Sequence, residues 1–196
     1  MPTLPGASLS TPESRARLLE ALLGHAKEHG VTVANGTRAD EYGGGLYSRE
    51  DRTVHISDHL RDSDQGLSTL AHELGHAEFD QTVLGRGMQS PLARGAAKAA
   101  PVIGVLIALA AGGSFQRRLA FSAGATALLQ APLLGSEITA DVKGHRMLKE
   151  MGATPQQLAL HRSEARRGVS TYTTPGLQGL GASLLTSGLA AGLSRS

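Results

Sequence analysis

The chain has 196 residues, enough for one domain with a core of its own, and its 19 basic and 17 acidic side chains leave a net charge of only +2. Hydrophobic residues at 40% exclude a disordered tail, and aromatics at 3% with dispersed arginines argue against a nucleic-acid partner. Cysteine is absent, which excludes a disulfide framework and a thiolate metal site, so any metal must be held by His, Asp or Glu.

The opening "MPTLPGASLSTPESR" lacks the apolar stretch behind a basic start that marks a signal peptide, so the expected compartment is the cytoplasm. In "TPESRARLLEALLGHAKEHG", Thr11 is a helix cap, Pro12 suits the first helical position, and Leu18, Leu19, Leu22 and Leu23 form an apolar stripe that ends before Gly30. "HAKEH", His25 to His29, also spells an inverted zinc motif. It lies in the last turn of that helix, where basic side chains favour the helix dipole, and both histidines are expected at the surface. "VTVA" alternates as a short strand. "DEYGGGLYSREDRTVHIS" reads as a hairpin with strands at Leu46-Tyr47 and Thr53 to Ile56 around the charged turn Arg49 to Arg52. In "DSDQ", Asp62 with Gln65 three residues on predicts the start of a helix from about Ser63 to Thr82.

The second half changes character. Lys98 to Gly113 and Leu119 to Gly135 are apolar on every side and read as a helical hairpin, with a third Gly/Ala/Leu-rich run from Gly176 to Leu193. A polar helix is expected to begin near Ser136 and stop at Gly152, and Thr154 with Pro155 caps another. The expected organisation is a domain over residues 1–165, interrupted by the apolar insertion 96–135, followed by a C-terminal segment 166–196. The fold class is α+β: a small antiparallel sheet packed on one helix, the apolar hairpin, and a second helix carrying acidic residues.

"STLAHELGHAEF", Ser68 to Phe79, holds the main chemical signal. Residues four apart share a helix face, so His72 and His76 can point at one ion, and Glu73 is left beside an open coordination position where a carboxylate can take a proton from water. The flanking Leu70, Ala71, Leu74, Ala77 and Phe79 imply a largely buried helix, and buried histidines need partners. Hydrogen bonds alone are the rival way of satisfying them. Downstream, "SEITADVKGH" offers Glu137 as a third ligand, with Asp141 one turn on able to accept the outer N–H of a ligating imidazole. An acidic helix start favoured by the dipole is the alternative reading of those two carboxylates.

"HELGH", then "EITAD", then Gly144 and "MGATP", resembles the gluzincin metallopeptidases of the HtpX-like and BepA-like group over roughly Gly43 to Gln157. The resemblance implies a zinc endopeptidase in which His72, His76 and Glu137 bind zinc, Glu73 is the base and Asp141 supports a ligand. It also implies a strand beside the active-site helix where a peptide or unfolded protein adds as a further strand. "RTVHIS" takes that place, with Val54, His55 and Ile56 as the substrate-binding residues. Alternation puts Val54 and Ile56 toward the core and Thr53 and His55 the other way, and the strand is expected to keep one free edge. A transition-state stabiliser is not assigned, with His55, His145 and Arg146 as the candidates. The competing function is a non-catalytic, zinc-containing membrane or protein-interaction module. Glu73 separates the two, because a purely structural site needs no base.

The apolar insertion is similar to that of membrane-bound relatives, including the YugP-like neutral zinc peptidases. Its runs are shorter than the ~20 residues of a usual spanning helix, but Gly104, Ala108 and Gly112, and Gly188 and Gly192 in the tail, repeat small residues at four-residue spacing. Membrane association through 98–135 and 176–193 is therefore one expectation and a soluble core the other. If the hairpin inserts, Arg86, Arg94, Lys98, Lys143, Arg146 and Lys149 outnumber Arg117 and Arg118 in its loop, which puts the catalytic face in the cytoplasm.

Overall fold

The computed structural model describes residues 10–111 and 113–168. The third apolar run and most of the segment 166–196 lie outside the described residues. The chain divides into two compact units, one built from the chain up to Gly85 with Glu137–Arg167, the other containing Arg86–Ser136.

In the first unit, helix α1 (Pro12–Glu28) starts as the sequence suggests: Thr11 and Ser14 cap each other reciprocally, at 3.0 and 3.2 Å. Gly30, with φ of 63°, ends the turn in the left-handed region. Strands β1 (Thr32–Asn35), β2 (Gly45–Ser48) and β3 (Thr53–Ile56) form one sheet, with a 3-10 helix (Thr37–Tyr42) between β1 and β2. The hairpin is present. The sheet, however, is mixed rather than antiparallel, with order β1-β3-β2 and β1 parallel to β3. The 3-10 segment carries the chain across, so β1 runs in the same direction as β3 instead of pairing with β2.

This order corrects one expectation directly. Strand β3 is central and paired on both sides, so the strand of Val54, His55 and Ile56 has no free edge for a peptide to join. Its alternation is otherwise as expected: Val54 and Ile56 are buried and His55 is half-buried, although Thr53 is buried too.

Helix α2 (Asp64–Asp80) is capped by Ser63, one residue later than Asp62, because Ser63 takes the extended backbone and its Oγ accepts the Gly66 N–H at 3.0 Å. Its Leu67, Leu70, Ala71, Leu74 and Ala77 join Leu18 and Leu22 of α1 and Tyr47, Val54 and Ile56 of the sheet in one core. Leu23, counted in the α1 stripe from sequence, is exposed. A further helix, α6 (155–168), begins with Thr154 and Gln157 capping each other.

The second unit holds the end of the short α3 (Val83–Met88), α4 (Pro91–Ala110) and the first part of α5 (Phe115–Glu150). The break expected near Ser136 does not occur, and α5 continues for 36 residues through Pro132. Flanking residues likewise extend the first apolar run into a 20-residue helix, so α4 and α5 are both long and apolar enough to cross a membrane. Close approach of the two rests on small residues. A methyl group on Gly104 would strike the Thr126 hydroxyl, Ala100 and Ala108 are fully buried, and Thr126 Oγ1 donates to the Ala100 carbonyl at 3.5 Å. Val102, Leu106, Leu109 and Leu128 project outward, exposed.

Candidate metal centre

Two helices of the first unit carry the donor groups, and glycines set how near they come. A side chain at Gly75, inside "HELGH", would collide with the Ala140 carbonyl on α5. One at Gly144 would stand 2.8 Å from the Ala71 carbonyl on α2. The residues between and around the donors are small because the two backbones touch there. His72 and His76 on α2 therefore meet Glu137 and Asp141 on α5.

The donor atoms converge. His72 Nε2 and His76 Nε2 lie 3.1 Å apart, His72 Nε2 is 3.4 Å from Glu137 Oε2, and His76 Nε2 is 3.5 Å from Glu137 Oε1. Ligand atoms about 2.0–2.2 Å from one tetrahedral ion stand roughly 3.3–3.6 Å from each other, close to these separations. Two imidazoles and a carboxylate are also a donor set that suits zinc. His72 Nδ1 donates to Asp141 Oδ1 at 2.7 Å, so Nε2 is the nitrogen that faces the cluster and can offer a lone pair once its proton is displaced. The side chains are 12–23% exposed, reachable yet shielded.

The electrostatics favour a cation. Burial opposes a charge on His72, but Asp141 and Glu137 outweigh it, with Glu73 adding to them, and push its pKa from 6.5 up to about 10. Without a metal, the pocket draws in a proton. A dication answers the same need.

Against known protein families, curated proteins and solved structures, the chain shows no match.

Glu73 is buried, and its Oε2 accepts the backbone N–H of Tyr47 at 2.8 Å. That bond reaches the sheet from its outer edge. Ser57 N–H donates to Gly44 O, so in this antiparallel pair Leu46 faces His55 with exchanged hydrogen bonds, while the backbone groups of Gly45 and Tyr47 point away from β3. Gly45 is needed for this approach. A Cβ there would collide with the Thr69 methyl group and come within 3.1 Å of Glu73 Cγ and Oε1. Neither Gly45 nor Tyr47 was singled out from sequence. "YGGGLY" signals a turn and a strand, and only the register shows which amide meets Glu73.

His161 was missed as well. It is 2% exposed, its Nε2 donates to the Asp141 carbonyl at 3.2 Å, and its Nδ1 accepts from the Ser68 hydroxyl at 2.9 Å. Burial lowers its pKa and keeps it neutral, which fixes that tautomer. It ties α6 to both donor helices, but a single histidine in "LALHRSEARR" carries no distinguishing signal. Of the suggested stabilisers, Arg146 forms an exposed pair with Glu150, and His145 stacks on His161 at 5.9 Å. His55 has a buried Nε2 without a hydrogen-bond partner among the described residues.

Proposed function

We propose that the chain is a zinc-dependent endopeptidase of gluzincin type. The observation that carries this reading is the convergence of His72 Nε2, His76 Nε2 and a Glu137 carboxylate oxygen beside Glu73. His72, His76 and Glu137 would hold the zinc, which when bound supplies Lewis-acid polarisation of the scissile carbonyl and of the attacking water. Asp141 keeps His72 in the tautomer that ligation needs. Glu73 takes the proton of the water and returns it to the departing amine. The Tyr47 N–H holds that carboxylate in place while its other oxygen stays available.

For substrate docking, the edge of β2 replaces the strand named from sequence. Among the described residues no strand pairs with the outer side of β2, and its Tyr47 amide touches Glu73. The Tyr47 amide is taken by Glu73, so an extended peptide added there would be held through the Gly45 main-chain groups and the Tyr47 carbonyl, which suits an unfolded protein substrate cut with little regard to sequence. The non-catalytic module is the weaker reading, because it accounts for the Glu73 oxygen bonded to the Tyr47 amide but gives no role to the other.

Two helices long and apolar enough to cross a membrane, with Val102, Leu106 and Leu128 exposed, support membrane association. The excess of basic residues outside the hairpin loop supports a cytoplasmic catalytic face. The test of function is metal analysis of the purified chain coupled to casein cleavage. A zinc-loaded chain whose cleavage stops on chelation and returns with zinc supports the proposal, and a metal-free chain that cleaves at the same rate rejects it.

A further inference from the structure

The "HAKEH" segment does not lie idle at the surface, as its place at a helix end suggested. His25 and His29 are half-buried, with their rings 4.1 Å apart, and a carboxylate from another helix faces them. Glu78 on α2 puts its Oε1 2.8 Å from His25 Nε2. One donor atom from each of His25, His29 and Glu78 lies within 4.8 Å of the others. We propose that these three residues form a second site for a divalent transition metal ion.

The outer contacts point the same way. His29 Nδ1 donates to the His25 backbone carbonyl at 2.9 Å, leaving Nε2 with a lone pair, as metal-ligating imidazoles commonly do. Lys143 donates to Glu78 Oε2 at 2.8 Å, which orients the carboxylate and leaves Oε1 for the ion. His25 in the last turn of α1 and His29 at its C-cap supply two imidazoles, and the third ligand comes from α2, so an ion here joins the end of α1 to the end of α2. Imidazole and carboxylate donors suit zinc, nickel or copper ions rather than calcium or magnesium. The site has no hydrolytic role. Glu28, the only carboxylate within the motif, is exposed and is not part of the group. Lys143 adds a positive charge beside the ion, so this site binds more weakly than the one at His72, His76 and Glu137. Glu78 follows His76 by two residues, so occupancy fixes the same helical turn that presents a donor of the first site.

The competing account is a plain His25–Glu78 ion pair with Lys143 alongside. Equilibrium dialysis of the untagged full chain against micromolar zinc, with metal counted by mass spectrometry, separates the two. Wild type should bind two ions, and His29→Ala and Glu78→Gln one each, with circular dichroism confirming the fold. Lys143→Met should bind the second ion about tenfold more tightly, because the competing charge is gone. One ion in wild type that survives both His29→Ala and Glu78→Gln overturns the proposal, as does an unchanged second affinity in Lys143→Met. Failure of the endopeptidase reading looks different: wild type then binds a single ion, which is kept in His72→Ala and lost in His29→Ala.

Discussion

The side chain of Asp141 accepts a 2.7 Å hydrogen bond from Nδ1 of His72, across two helices and 69 positions of sequence. The bond sets which nitrogen of His72 faces the donor cluster. Asp141→Asn keeps the shape but loses the charge that makes the imidazole a better ligand. Zinc affinity, read by competition with a chromophoric chelator, should fall roughly 10–100-fold without being abolished. An unchanged affinity would return Asp141 to a purely structural role.

The crossing of the two donor helices is as specific as the donors. Gly75→Ala puts a methyl group into the Ala140 carbonyl, where rigid backbone cannot yield as a flexible side chain could. Overpacking of this kind costs about 1–3 kcal/mol, measurable by urea denaturation of the metal-free chain. Because the helices must separate, zinc affinity should drop as well. A variant with wild-type stability and wild-type metal binding would show that the helices do not meet this closely.

Gly45→Ala separates positioning of the base from binding of the metal. The nearest neighbours of the added carbon are Thr69 and Glu73, not His72, His76 or Glu137. Cleavage should fall about 10–100-fold through misplacement of Glu73, while zinc content stays at the wild-type level. If activity is unaffected, the contact between β2 and Glu73 has no part in catalysis.

The donors and their partners were legible in the sequence because they obey helix geometry, which is local. His72 and His76 share a face by spacing alone, and Glu137 and Asp141 repeat that logic on a second helix. The α1 cap at Thr11 and the β2–β3 hairpin were legible for the same reason. What failed was non-local. The return of β1 alongside β3 depends on a path through the 3-10 segment, and no local pattern encodes it, so β3 was given an edge it does not have. The break expected near Ser136, just after Gly135, is absent because the apolar run and the donor helix continue as one helix, α5. His25 and His29 looked exposed because their partner, Glu78, lies 53 positions from His25 along the chain.

Metal uptake should depend on pH in a definite direction. In the metal-free chain His72 has its pKa raised from 6.5 to about 10, so it binds a proton across the neutral range. Zinc must displace that proton, so affinity should rise by up to tenfold per pH unit below about pH 10, with about one proton released per ion from His72. Calorimetry in buffers of different ionisation enthalpy reads the proton count. Because the folded pKa lies above the unfolded value, the stability His72 lends the metal-free chain is full below about pH 6.5 and is lost as pH rises toward 10. Denaturation midpoints that rise over that interval would contradict the assignment of His72.

Glu73→Gln tests the central claim most directly, because it removes proton transfer and little else. Zinc content and casein cleavage are measured on the same purified protein, with circular dichroism as the check of fold. The chain is expected to keep its zinc and its structure while cleavage falls by at least ~100-fold. A folded, zinc-loaded Glu73→Gln chain that cleaves casein at near the wild-type rate would contradict the endopeptidase mechanism.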